Sequence, residues 1–145
     1  MRTLYTAFKG ENNTSYQLVT ALNKPFVLLT NSFQGVERDI VKIKEHFDAI
    51  IMIGIDKSLK NCIRFEKNAK YNGEMLHSDF NTNALTEKCD EMEIPYHISF
   101  RPTEYLCNAA YWHMLRKYPN TIFIHIPSIG KMNTKFMQSL IDLLL

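Results

Sequence analysis

Three side chains in this sequence have the types that nucleophilic catalysis requires: the thiol of Cys107, the imidazole of His125 and the carboxylate of Glu66. A cysteine nucleophile needs a base within hydrogen-bond reach, and the base works best when a third group fixes its tautomer. Cys107, Ala110, Tyr111 and Met114 recur at the spacing of one buried helical face, which puts Cys107 in the first turn of a helix. A thiol there feels the unpaired N–H groups of the helix terminus, which favour the thiolate and lower its pKa. The apolar run Ile122 to Ile126 predicts a strand with His125 near its end. A helix that runs away from the sulfur, followed by a strand that returns, is how an α/β unit brings distant residues to one sheet edge. Glu66 lies on a short predicted strand after the central one and is the candidate third group. By spacing alone the same Cys and His also fit ordinary packing positions, and both readings stand at this point.

The elements that must position these groups follow in a β-α-β order. Thr3 to Phe8 reads as a strand, Lys9 to Asn13 as a polar loop, and Ser15 to Leu22 as a helix capped by the short acceptors Asn13, Thr14 or Ser15. Phe26 to Thr30 is a second strand. Val36, Ile40, Ile43 and Phe47 mark one amphipathic helix, and Asp48 to Ile55, the most hydrophobic run, predicts a strand buried on both faces as in a parallel sheet. Cys62 to Lys67 is a strand of mixed polarity, expected at a sheet edge. Asn68 to Asn83 shows no clear period and reads as a loop. Leu85, Cys89 and Met92 mark another helix, Tyr96 to Phe100 a strand, and Phe136, Leu140 and Leu143 one face of a last helix. Right-handed crossovers in such an order place helices on both faces of the sheet.

The bulk properties narrow the function classes. With 145 residues, 46% hydrophobic and 22% charged, the chain fits one domain over 1–145 with a single sizeable core. The 17 basic and 15 acidic residues are dispersed and form no basic stripe interleaved with aromatics, so nucleic acid is not an expected partner. No apolar run approaches the ~20 residues that span a bilayer. The first residues lack a signal-peptide pattern, so the expectations are no membrane and a cytoplasmic location. Cys62, Cys89 and Cys107 are odd in number and widely spaced, as reduced thiols would be. His46, His77, His97 and His113 have no ligand spacing, and Gly54 and Gly73 build no phosphate-cradling loop. Neither a metal nor a cofactor is expected.

The stretches IRFEKNA, TEYLCNAAYW and IFIHIP resemble the glutamate, cysteine and histidine signatures of pyroglutamyl peptidase I, the pyrrolidone-carboxylate peptidase family of cysteine peptidases. In the same order, TAFKGENNTS resembles the family's opening Thr-Gly-Phe loop, and SFQGVERDIVKIKEHFDAIIMIGI its second helix and third strand. The resemblance implies a single three-layer α/β domain with a mixed, mostly parallel sheet of the phosphorylase/hydrolase-like kind. It implies removal of an N-terminal pyroglutamyl residue from peptides, with Cys107 as nucleophile, His125 as general base and acid, and Glu66 as the orienting acid. It also places Phe8, Asn13, Tyr105 and Leu106 at the lactam-binding positions, Phe8 and Leu106 fitting core packing equally well, and it makes a homo-oligomer the expected assembly.

The chain departs from that pattern in ways expected to leave one wall of the lactam site open and to weaken the activity. The opening loop lacks the second phenylalanine that closes the family's pocket, and KYNGEMLHSDFNTN stands where an Arg-Ile-Pro-Asp-Asn segment is expected. Tyr105 replaces a phenylalanine, and its hydroxyl needs a partner or an opening to water. Glu104 sets a negative charge near the nucleophile, which opposes thiolate formation. The expected geometry has the Cys107 sulfur about 3 to 4 Å from one ring nitrogen of His125, with Glu66 on the other. Cys107 is then expected to alkylate faster than Cys62 or Cys89. The rival readings are a non-catalytic binding protein of the same fold, or a cysteine hydrolase of another small amide.

Overall fold

A computed structural model describes residues 1–145. The apolar runs of the sequence become the sheet. Strands β1 (Thr3–Phe8), β2 (Phe26–Leu29), β3 (Ala49–Ile55), β4 (Ile63–Glu66), β7 (Tyr96–Ser99) and β8 (Thr121–Ile126) form six strands in the order β2-β1-β3-β8-β4-β7. All neighbours are parallel except β4 and β8, which run antiparallel. The sheet is mixed and mostly parallel, with helices on both faces, as the sequence led one to expect. Helices α1 (Thr14–Ala21), α3 (Asn83–Glu91) and α5 (Thr134–Leu144) cover one face, where Leu18, Cys89 and Leu140 pack against Ile53, Phe65 and Ile124. Helices α2 (Phe33–Val41) and α4 (Leu106–Lys117) cover the other, where Val36, Ala110 and Met114 pack against Met52 and Phe123.

Side-chain caps set several helix starts. Asn13 Oδ1 accepts from the Ser15 backbone N–H at 2.9 Å, Ser32 Oγ accepts from Gly35 N–H at 2.9 Å, and Asn133 Oδ1 accepts from Phe136 N–H at 2.8 Å. Each satisfies one of the donors that a helix leaves free at its first turn.

Three expectations are corrected. Helix α2 ends at Val41, so Ile43 and Phe47 reach the core from irregular chain beyond it; their spacing marks burial, not helix. Strand β4 is not at an edge but lies between β8 and β7, and its polar residues Arg64 and Glu66 find partners within the protein: each other, Asp56 and His125. The segment read as a loop holds a two-stranded hairpin, β5 (Asn68–Tyr71) and β6 (Glu74–His77), packed on α4. Asn72 and Gly73 join its strands with φ of 52° and 76°, the pair of left-handed residues a tight two-residue hairpin demands.

Candidate active site

Strand register decides which side chains meet. Gly54 of β3 stands opposite His125 of β8, and His125 stands opposite Arg64 of β4. Side chains alternate between the faces of a strand, so Gly54, His125, Arg64 and Glu66 share the face that α4 covers. Cys107, second residue of α4, comes down on this row. A Cβ on Gly54 would lie 2.8 Å from the Cys107 sulfur and 2.6 Å from the Phe123 ring, so the sulfur reaches the sheet only because residue 54 has no side chain.

Glu66 and His125 are 4% and 5% exposed, and His125 Nδ1 lies 3.1 Å from Glu66 Oε1. A carboxylate only accepts, so this contact puts the ring proton on Nδ1 and leaves Nε2 as the free acceptor. The ring's hydrogen-bond partners in the protein are Glu66 and Arg64, both at Nδ1. Cys107 and His125 line one cavity with Glu66, Asn68, Thr103, Asn108, Tyr111 and Phe123, yet no hydrogen bond joins sulfur to ring. The Tyr111 hydroxyl donates to the Glu66 backbone carbonyl at 2.6 Å and steadies β4 against α4.

Glu66 has a second partner that sequence reasoning missed. Arg64 Nε donates to Glu66 Oε1, and Arg64 Nη2 donates to Asp56 Oδ2 at 2.7 Å. With a carboxylate on each side, the Arg64 guanidinium is held still more firmly charged than usual. Asp56 is lowered to about 2: hydrogen bonds from Ser58 and Arg64, and the Arg64 charge, outweigh the cost of its burial. The signal lay in the sequence, because residues 64 and 66 of one strand point the same way.

The thiol behaves differently from expectation. Burial pushes Cys107 up to about 12, the Asp56 and Glu66 charges push the same way, and hydrogen bonding to the Ile55 backbone only partly opposes them. Desolvation exceeds the pull of the helix terminus, so the resting group is the protonated thiol. The carboxylates responsible are Asp56 and Glu66; Glu104, blamed from its place in the sequence, is exposed and not among the causes.

The cavity gathers Cys107, His125 and Glu66, and none of the four proposed substrate residues lines it. Phe8 is buried in the core beneath α2, and Leu106 packs on the same cluster. Asn13 is spent as the α1 cap. Tyr105 is 76% exposed, so its hydroxyl faces water and needs no buried partner. The cavity itself holds ≈ 10 Å³, about the room of one water, so the site is closed where the absent segments led to an open wall being expected. Beside it runs a polar groove of ≈ 380 Å³ between the hairpin and the loop before α4, and Thr103 and Asn108 border both. Asn108 closes the wall between them: its Nδ2 donates to the Lys70 carbonyl at 2.6 Å and its Oδ1 accepts from the Lys70 N–H at 3.0 Å. No group of three or more His, Cys, Asp or Glu is placed to hold a metal. No helix is long and apolar enough to cross a membrane.

No protein-family model matches the chain, and no curated protein matches it in sequence. Solved structures do. The pyrrolidone carboxyl peptidase from Thermus thermophilus superposes with a TM-score of 0.78 at 18% identity, covering 98% of this chain and 97% of that one. The enzyme of the same name from Thermococcus litoralis gives 0.76 at 19% identity, covering 99% and 90%. Pyroglutamyl peptidase I from Bacillus amyloliquefaciens gives 0.78 at 18% identity, covering 99% and 93%. Over nearly its whole length, the chain has the fold of the pyrrolidone carboxyl peptidases.

Proposed function

We propose that this chain, which has the pyrrolidone carboxyl peptidase fold, is a cysteine peptidase that removes an N-terminal pyroglutamyl residue from peptides, slowed by a closed substrate site. The observation that carries this reading is the Glu66–His125 contact of 3.1 Å in the cavity that Cys107 also lines. The Cys107 sulfur attacks the carbonyl that follows the lactam ring. Because the resting thiol keeps its proton, His125 Nε2 takes that proton as the sulfur attacks, with Glu66 stabilising the imidazolium that forms. The oxyanion is met by the backbone N–H of Cys107 at the start of α4. His125 then returns the proton to the leaving amine, and water attacks the thioester to free pyroglutamate and restore the thiol.

Room for the lactam has to come from the polar groove, by displacement of Asn108 and the hairpin it clamps. The room for one water beside a protonated thiol favours a second reading, a non-catalytic binding protein of the same fold. A fluorogenic pyroglutamyl amide separates the two. Slow turnover, lost in both Cys107→Ala and His125→Ala, supports the peptidase. No turnover at any protein concentration supports the binding protein. If a second copy completes the substrate wall, turnover per chain rises with protein concentration.

A further inference from the structure

His125 Nδ1 has two neighbours with opposite demands. Glu66 Oε1, at 3.1 Å, can only accept a proton from it. Arg64 Nη2, at 3.5 Å, can only donate to it, and would do so if the ring proton moved to Nε2. The first arrangement leaves Nε2 as a base for Cys107; the second removes the base. Choice between them rests on where the guanidinium is held, and Asp56 holds it. Asp56 Oδ1 accepts from the Ser58 backbone N–H at 2.8 Å and from the Ser58 hydroxyl at 2.6 Å, so the carboxylate is locked in its own turn. That leaves Oδ2 aimed at Arg64 Nη2, 2.7 Å away. With Nε on Glu66 and Nη2 drawn to Asp56 at 2.7 Å, Nη2 stands off from Nδ1 at 3.5 Å although its second N–H is free, and Nδ1 stays with Glu66 at 3.1 Å.

We infer that Asp56, acting through Arg64, selects the His125 tautomer protonated on Nδ1. Both are positioning residues for the base role given to His125 above, and neither touches a reacting atom. The inference concerns the resting ring, so it is tested without any substrate and independently of whether the chain turns over a pyroglutamyl amide.

The test is nitrogen-15 NMR of the His125 ring in the full chain, at a pH where the ring is neutral. The wild type shows the proton on Nδ1. Asp56→Asn keeps an acceptor for the Ser58 turn but presents an amide donor to Arg64; the guanidinium swings to Nδ1, and the proton moves to Nε2. Asp56→Glu keeps the wild-type tautomer. The double variant Asp56→Asn, Arg64→Met returns the proton to Nδ1, because the competing donor is gone, and a purely structural role for Asp56 gives no such return. Arg64→Met alone keeps Nδ1 protonated, which tests the idea even if Asp56→Asn fails to fold. An Nδ1 proton in folded Asp56→Asn, or an Nε2 proton in Arg64→Met, overturns the inference.

Discussion

At the scale of single residues, Cys107 shows how position in a helix and burial compete. Its place in the first turn of α4 favours the thiolate, while burial against the sheet at Gly54, and the charges of Asp56 and Glu66, favour the thiol. The thiol prevails. Cys62 and Cys107 are both partly exposed, so the raised pKa of Cys107 decides: at neutral pH we expect iodoacetamide to label Cys62 faster than Cys107, and Cys107 to gain about tenfold per pH unit as its thiolate fraction rises. Mass mapping of timed samples reads all three cysteines at once. Cys107 labelling first at neutral pH would mean that the imidazole activates it more than burial suppresses it.

At the scale of elements, the β5–β6 hairpin stands between solvent and the site. Two hydrogen bonds, one donated and one accepted by the Asn108 amide, clamp its Lys70 backbone to α4, and Trp112 Nε1 donates another to the Glu74 carbonyl at 3.1 Å. Asn108→Ala removes both bonds to Lys70 and is expected to cost roughly 1–3 kcal/mol. The Lys70 amide should then lose protection from hydrogen exchange while the amides of β3 and β8 keep theirs. If the groove is the way in, the same variant turns over a pyroglutamyl amide faster per folded molecule. Unchanged Lys70 protection would show that Trp112 alone holds the hairpin.

At the scale of the whole molecule, the two raised thiols couple the fold to alkaline pH. Burial holds Cys89 at about 11 and Cys107 at about 12, against 9.0 for a free thiol. A pKa raised by folding means that the native state keeps its proton longer than the unfolded chain. The stabilisation is therefore full below pH 9.0 and is lost as pH rises through 11 and 12. Asp56 acts in the opposite sense: lowered from 3.8 to about 2, it stabilises above 3.8 and ceases to do so as pH falls through 2. Urea midpoints should fall on both sides of those limits and, between them, rise slightly as pH climbs to 6.5, because burial lowers the His113 imidazole. Replacing Cys89 and Cys107 together by Ala should flatten the alkaline limb, and an unchanged limb would assign it to other groups.

The sequence alone determined what depends on neighbours a few residues away. The apolar runs of β1, β3 and β8, the buried face of α4 and the Asn13 cap all follow from local periodicity and local hydrogen bonding. The candidate trio was legible as residue types in order, and the structure brings Cys107, His125 and Glu66 to one cavity. Even the hairpin had a local signal in Asn72-Gly73, overlooked because its strands are short and alternate weakly. Tertiary structure decided the rest. That β4 pairs antiparallel with β8, and so sets Arg64 across from His125, is a choice between strands remote in sequence, which no local pattern encodes. The state of the Cys107 thiol is likewise a sum over its burial, the Ile55 backbone and the charges of Asp56 and Glu66, groups remote from it in sequence, and desolvation has no value until the chain has closed around the sulfur.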